Sequence, residues 1–174
     1  MASISIPLTQ GKYALIDEDD FALVCRYKWC ARRNPQNGKF YAVSNKGGKT
    51  VYMHRVIRGA PKGVEVDHID GDGLNNTRRN LRDATPAQNH CNAPRRSRNT
   101  SGYKGVSWDK ERARWAAEVR MGGRRIRCGR FATAEEAARA YDRSAKELQG
   151  EFAHLNFPND RSNKEKESES EPTV

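Results

Sequence analysis

From Asn92 to Gly102 the chain reads NAPRRSRNTSG, a run through which neither a helical stripe nor an alternating strand can be drawn. Such a stretch, rich in Arg, Ser and Asn and broken by Pro94, serves as an extended linker rather than as part of a core. A boundary there cuts 174 residues into two pieces, and with 36% of the chain hydrophobic each can bury only a modest interior. The expected organisation is a first domain over residues 1–94, a basic linker over 95–101 and a second domain over 102–158.

The first piece alternates short strand signals with turn formers. Residues 4–16 read as one or two short strands. Residues 17–29, DEDDFALVCRYKW, open acidic and carry apolar residues at helical spacing, which predicts a short helix. Residues 29–55 alternate apolar and polar positions around Asn37-Gly38 and Gly47-Gly48, the pattern of a β-meander. In the second piece, residues 104–108, 115–120 and 124–131 read as three strands, the last two joined by Gly122-Gly123, a pair that accepts the positive φ of a tight hairpin. Thr133 with Glu136 matches a capping box and opens a helix with Ala137, Ala140, Tyr141, Ala145 and Leu148 on one face. The fold class is therefore α+β, with a small second domain of a three-stranded antiparallel sheet and one helix. Residues 159–174, NDRSNKEKESESEPTV, are charged, lack aromatics and are expected to be disordered.

Charge narrows the function classes. The net charge is +10, and twelve Lys and Arg against three Asp and Glu between Arg95 and Arg130 account for +9 of it. Such concentration points to a polyanion: nucleic acid, an anionic membrane surface or an acidic protein. No stretch approaches the apolar length of a membrane span, so a soluble protein with no membrane partner is expected. MASISIPLTQGKYALI lacks the basic opening, apolar core and small-residue cleavage site of a secretory signal, which leads to the expectation of a cytoplasmic, reducing compartment. Cys25, Cys30, Cys91 and Cys128 form no C-x-x-C pair, which argues against a disulfide framework and a zinc knuckle. They read as small buried hydrophobes, with a mixed Cys25, Cys30, His90 and Cys91 site as an alternative of poor spacing.

Residues 66–90, VDHIDGDGLNNTRRNLRDATPAQNH, carry the candidate chemistry. Asp, Gly and Asn are also the residues that turns select for geometry alone, so a purely structural loop is one reading. A calcium loop starting at Asp70 is another, and it fails: Asn75 stands at the sixth position, where Gly is needed, and Leu81 where the bidentate Glu belongs. In the third reading Asp67 and His68 end a strand (GVEVDH), a turn-rich loop leads to a second strand (NLRDA), and a helix begins at Thr85. Thr85 is its N-cap, Pro86 its first residue and Gln88 the capping-box partner. A hairpin followed by a helix in this way can bring Asp67 and Asn89 together around one divalent ion, and such oxygen ligands suit magnesium or manganese rather than zinc.

The ordered combination from YMHRVI through QNHCN, a core motif within residues 52–93, resembles the HNH nuclease motif in the form found in homing endonucleases of mobile introns and phages. That resemblance implies a ββα-metal nuclease domain. By position His68 resembles the general base, Asp67 and Asn89 the metal ligands, and Asn80 the middle Asn that braces the loop and the catalytic imidazole. His90 is the alternative ligand, since related motifs often end in His. The residue types suit the chemistry: an imidazole accepts a proton from water near neutral pH, and one metal ion polarises the phosphate and stabilises the leaving oxygen. His54 reads as a packing or hydrogen-bonding histidine outside the chemistry, and Arg55 and Arg58 as candidates for phosphate contacts.

The second piece resembles another family. YKGV, RWAAEVR, GRF, TAEEAARAYD and HLNFP, spread over residues 102–158, are similar to the DNA-binding domain of plant ethylene-response factors, the Apetala-two type, which is also found fused to HNH endonucleases. Alternation puts Arg114, Ala116, Glu118 and Arg120 on one strand face and Trp115, Ala117 and Val119 on the other. The apolar face would pack on the helix, leaving the charged face, extended by Arg125 and Arg127, to enter a major groove. By position Lys104, Arg112, Arg114, Glu118, Arg120, Arg125, Arg127 and Tyr141 match DNA contacts of that family. Arg112 and Arg127 stand where the plant domains usually carry Trp, so the plant target sequence does not carry over. An ordinary solvated sheet face is the plainer reading.

The resulting expectation is a magnesium- or manganese-dependent HNH endonuclease acting on double-stranded DNA as a monomer or weak dimer, with one active site per chain. The alternatives are a non-catalytic, sequence-specific DNA-binding protein or transcription regulator, and a structured-RNA binder, which the lack of an aromatic stacking signature disfavours.

Overall fold

The computed structural model describes residues 2–95 and 99–159. Residues 96–98 of the expected linker, and the expected disordered tail from residue 160 onward, lie outside the described residues. The chain divides into two compact units, Met1–Asn89 and His90–Val174.

The first unit begins with an antiparallel hairpin, β1 (Ser3–Pro7) and β2 (Tyr13–Asp17), followed by a 3-10 turn over Glu18–Asp20 and a short α1 (Phe21–Val24). The helix expected over residues 17–29 is thus cut short. The Trp29 indole N–H donates to the Val24 carbonyl (2.8 Å) and its ring lies against Tyr27, so the apolar residues that suggested further helical turns fold back into a compact turn. Then come the meander β3 (Cys30–Arg33), β4 (Phe40–Lys46) and β5 (Lys49–Tyr52), with turns where Asn37-Gly38 and Gly47-Gly48 predict them. α2 (Met53–Arg58), the hairpin β6 (Glu65–His68) and β7 (Leu81–Ala84), and α3 (Pro86–Cys91) complete the series.

Ala14 and Ile16 of β2, Val24, Ala42, Met53, Ile57, Val66 and Leu81 form one small core. Each large side chain buried there contributes about 1.5–3 kcal/mol. Polar ties fix the first hairpin against the loop between β6 and β7. Leu15 donates to the Leu74 carbonyl and accepts from Asn76 N–H (2.8 and 2.7 Å). The buried carboxylates of Asp17 and Asp20 take the backbone N–H and the guanidinium of Arg78, the partners that buried charges require. The 70–80 loop is therefore held by β2, from more than fifty residues earlier in the chain.

In the second unit β8 (Val106–Asp109), β9 (Arg114–Met121) and β10 (Arg124–Phe131) form an antiparallel sheet with β9 in the middle, packed on α4 (Ala134–Gln149). Thr133 and Glu136 make the reciprocal capping box that their spacing predicts. Val106, Ala117, Val119, Ala137, Ala138, Tyr141 and Ala145 form the core, and the many Ala let sheet and helix approach closely. Gly105 shows how closely: its φ is +75°, and a Cβ there would fall 2.0 Å from the Tyr141 ring. Asp142, also buried, accepts from the backbone N–H groups of Asn156 and Phe157, which fastens the segment after α4 to the helix.

Candidate functional site

In β6 the pleat sends Glu65 and Asp67 to one side and Val66 and His68 to the other. Register places Arg82 of β7 opposite Asp67. The Arg82 Nε and Nη2 both donate to Asp67 Oδ2, at 2.9 and 2.8 Å, and both side chains are largely buried. Charge-assisted bonds of this kind offset the penalty of burying a carboxylate. No motif in the sequence marks Arg82; the register of the folded hairpin is what sets it against Asp67.

His68 is 5% exposed, and its Nε2 lies 3.3 Å from Asn76 Oδ1. Its ring meets those of His54 and Tyr41 near edge-on, and Tyr52 lies against His54 in turn. Burial pulls the His68 pKa below the ordinary histidine value, against the opposing pull of the Asn76 bond and of the charges on Asp70, Asp67 and Asp72. The neutral ring is a proton acceptor. Burial takes His54 down to about 3, assisted by His68 and Arg55. His54 is a packed ring, as expected, but it packs directly on the imidazole singled out for the chemistry.

Asn80 organises the loop between the strands. Its Oδ1 accepts from Asp70 N–H, while Nδ2 donates to Asp70 Oδ1 and to the Asn75 carbonyl (3.0, 2.9 and 2.7 Å). An amide also meets the imidazole, and it is that of Asn76. Arg55, a candidate for phosphate contact, directs its guanidinium to the carbonyls of Ala60, Pro61 and Val64, and so holds the connection between α2 and β6. Arg58 pairs with Asp83 (2.9 Å).

α3 starts as its sequence predicts: Thr85 N–H donates to Gln88 Oε1 and Gln88 N–H to Thr85 Oγ1. Asn89 Nδ2 donates to Glu65 Oε2 at 2.6 Å. A carboxylate only accepts, so this bond turns the Asn89 amide oxygen away from Glu65. A carboxylate and an amide oxygen are hard donors and fit magnesium or manganese. His90 is exposed in the last turn of α3. Among the described residues no three His, Cys, Asp or Glu side chains converge as a metal cage, the mixed cysteine and histidine cluster included. Nor are the cysteines the buried hydrophobes expected: Cys25 is exposed and Cys30, Cys91 and Cys128 are half-buried, Cys128 at the margin of the second core.

On the second unit, register brings Arg120 opposite Arg125 and Glu118 opposite Arg127. Arg114, Glu118, Arg120, Arg125 and Arg127 thus share one sheet face, with Glu118 half-buried and the arginines exposed. Lys104 and Tyr141 are not exposed as those arginines are. Lys104 donates to the Cys91 carbonyl, and burial lowers it to about 8. The Tyr141 ring is 2% exposed, and burial raises its hydroxyl pKa. Both line a cavity of about 450 Å³ that Glu118, Arg120 and Arg125 also line. Arg112 lies in the turn between β8 and β9, paired with Glu111 (3.1 Å).

Residues 51–91 match the HNH endonuclease family and residues 101–151 the AP2 domain family. An uncharacterised HNH endonuclease of Acanthamoeba polyphaga mimivirus is 36% identical over 153 residues, 84% of this chain and 76% of its own. Protein 3.8 of Escherichia phage T7 is 43% identical over 95 residues, 55% of this chain and 78% of its own. Dehydration-responsive element-binding protein 2E of Oryza sativa subsp. japonica is 49% identical over 61 residues, 32% of this chain and 18% of its own. Among the described residues no helix is long and apolar enough to cross a membrane. With one relative matched across most of both chains, and the two family matches falling on successive stretches of the sequence, the chain belongs to the HNH endonuclease family, in a form that carries an AP2-type DNA-binding domain after the nuclease motif.

Proposed function

We propose that the protein is a metal-dependent endonuclease that hydrolyses phosphodiester bonds in double-stranded DNA, with a nuclease domain over residues 1–94 and a DNA-binding domain over 102–158. The observation that carries this reading is a buried imidazole, His68, at the end of the strand that bears Asp67, with Asn89 tied to the same strand through Glu65. In the reaction His68 takes the proton of the attacking water. Asp67 and Asn89, with His90 as the alternative to Asn89, would hold a magnesium or manganese ion, which when bound supplies positive charge for the phosphate and the departing oxygen. Asn80 keeps the loop between the strands in shape, so that His68 stays buried against it. The arginine face of the second unit binds the DNA backbone and base edges. One such site per chain nicks one strand.

A non-catalytic DNA-binding protein is the second reading, and one observation favours it: Arg82 already neutralises Asp67. Supercoiled plasmid separates the two. The proposed enzyme converts it to open circles with magnesium or manganese, stops with chelator, and slows roughly 10²–10⁴-fold on His68→Ala. Plasmid left intact by wild-type protein with either metal, while gel-shift binding persists, establishes the second reading.

A further inference from the structure

The start of β4 forms a wall against the loop that follows His68. A β-carbon at Gly73 would fall 2.6 Å from the Tyr41 ring and closer still to the Phe40 carbonyl, so loop and strand lie flush there. The Tyr41 ring in turn meets that of His68, with centroids 5.9 Å apart. Lys39, the residue before β4, makes the same approach to Gly71: its Nζ lies 2.9 Å from where a β-carbon would stand. Gly71 N–H donates to the His68 carbonyl at 2.8 Å, so the ammonium sits on the turn that leaves His68. The Lys39 backbone is fixed from both sides, its N–H donating to Asn37 Oδ1 (3.0 Å) and its carbonyl accepting from Asn34 N–H (2.8 Å). Asp70 and Asp72 flank Gly71, but their carboxylates turn into the loop. Asp70 Oδ1 accepts from Asp72 N–H and the Asn80 amide, its Oδ2 from the Asn75 amide, and Asp72 Oδ1 from Leu74 N–H. The reaction outlined above gives the half-buried Lys39 no part.

We propose that Lys39 is a substrate contact of this site, its ammonium gripping a backbone phosphate of the DNA held there. The inference rests on the endonuclease reading and deepens it, adding a phosphate contact from the meander to a site otherwise drawn from β6, β7 and α3. Three other cations around β6 are already engaged: Arg82 by Asp67, Arg55 by three carbonyls and Arg58 by Asp83. Attack of water on a phosphodiester spreads negative charge over the phosphate oxygens, and fixed positive charge near them lowers the barrier. A lysine suits that task, because its ammonium is a compact charge with three donors and no acceptor. The pinned backbone of Lys39 helps too, since a charge already in place needs little reorganisation when the negative charge develops.

Full-length Lys39→Gln and Lys39→Arg test the assignment through plasmid nicking, duplex binding at several salt concentrations and urea unfolding. Lys39→Gln should nick roughly tenfold or more slowly in kcat/KM. It should also lower the slope of log affinity against log salt by about one, the signature of one lost phosphate contact. Its urea midpoint should match that of wild type. Lys39→Arg, which keeps the charge, should retain the wild-type slope and most of the rate. An unchanged slope in Lys39→Gln overturns the proposal whatever the rate does, and Lys39 then only offsets the charges of Asp70 and Asp72. A Lys39→Gln protein too unstable to assay overturns it in the same way. Wild-type protein that binds duplex but nicks with neither magnesium nor manganese overturns the endonuclease reading instead, and the slope of Lys39→Gln still decides whether Lys39 meets a phosphate.

Discussion

The imidazoles of His54 and His68 meet edge to face, with ring centroids 4.9 Å apart and planes at 85°. One comes from the first turn of α2 and the other from the end of β6, and both are buried. A positive charge on either ring would be desolvated and would repel one on the other. That is why His54 falls to about 3, with burial as the larger cause and His68 the next.

Acid stability follows from this pair. A histidine at about 3 when folded and 6.5 when unfolded binds fewer protons in the folded state across that window. Unfolding then takes up protons, and stability falls as pH drops below about 6.5, by up to about 1.4 kcal/mol per pH unit. His68, lowered by burial too, acts in the same direction. Urea unfolding between about pH 6.5 and 4.5 should show His54→Gln losing less stability than wild type. The comparison cancels the carboxylates common to both proteins, and equal losses would exclude His54 as the source.

The buried pair of Arg82 and Asp67 should be worth more than a surface ion pair. Arg82→Leu removes both donors to Asp67 Oδ2, and an expected loss of about 3 kcal/mol in thermal or urea unfolding matches the cost of breaking a buried pair. Manganese should restore more stability to this variant than to wild type, since the same carboxylate is a proposed ligand. A loss under about 1 kcal/mol would place the pair among exposed ones.

On the sheet face, Arg120→Ala and Arg125→Ala should each weaken DNA binding and lower the slope of log affinity against log salt by about one where the lost contact is a phosphate. Arg112→Ala should do less, because its guanidinium is engaged by Glu111 and Asp109 off the face. Fluorescence anisotropy with labelled duplex at several salt concentrations reads both quantities. Equal effects from all three would disconnect the face from binding.

Two glycines at similar φ should respond differently to Ala. Gly122, at φ +57° with nothing within 4 Å of an added Cβ, should lose about 1–2 kcal/mol for the left-handed backbone alone. Gly105, whose added Cβ would meet the Tyr141 ring and the Glu118 carbonyl, should lose about 3 kcal/mol or more. Chemical denaturation of the two variants checks the order.

Features settled within a few residues can be read directly from the chain. The turns at Asn37-Gly38 and Gly122-Gly123, the caps at Thr85 and Thr133, the β6–β7–α3 order and the basic strand face were legible because a positive φ, an orphan N–H or a two-residue alternation is decided locally. Residues 17–29 mark the limit of that logic: helical spacing was present, but the Trp29 indole closed the helix from outside it. Which polar group each candidate side chain meets is set instead by long-range packing. Asp67 faces Arg82, Asn89 faces Glu65 and His68 faces Asn76, partners 15, 24 and 8 residues apart along the chain. Burial makes a partner obligatory without naming it. The name is set by hairpin register and by the way the loop after His68 lies on β2, neither of which leaves a periodic trace in the chain.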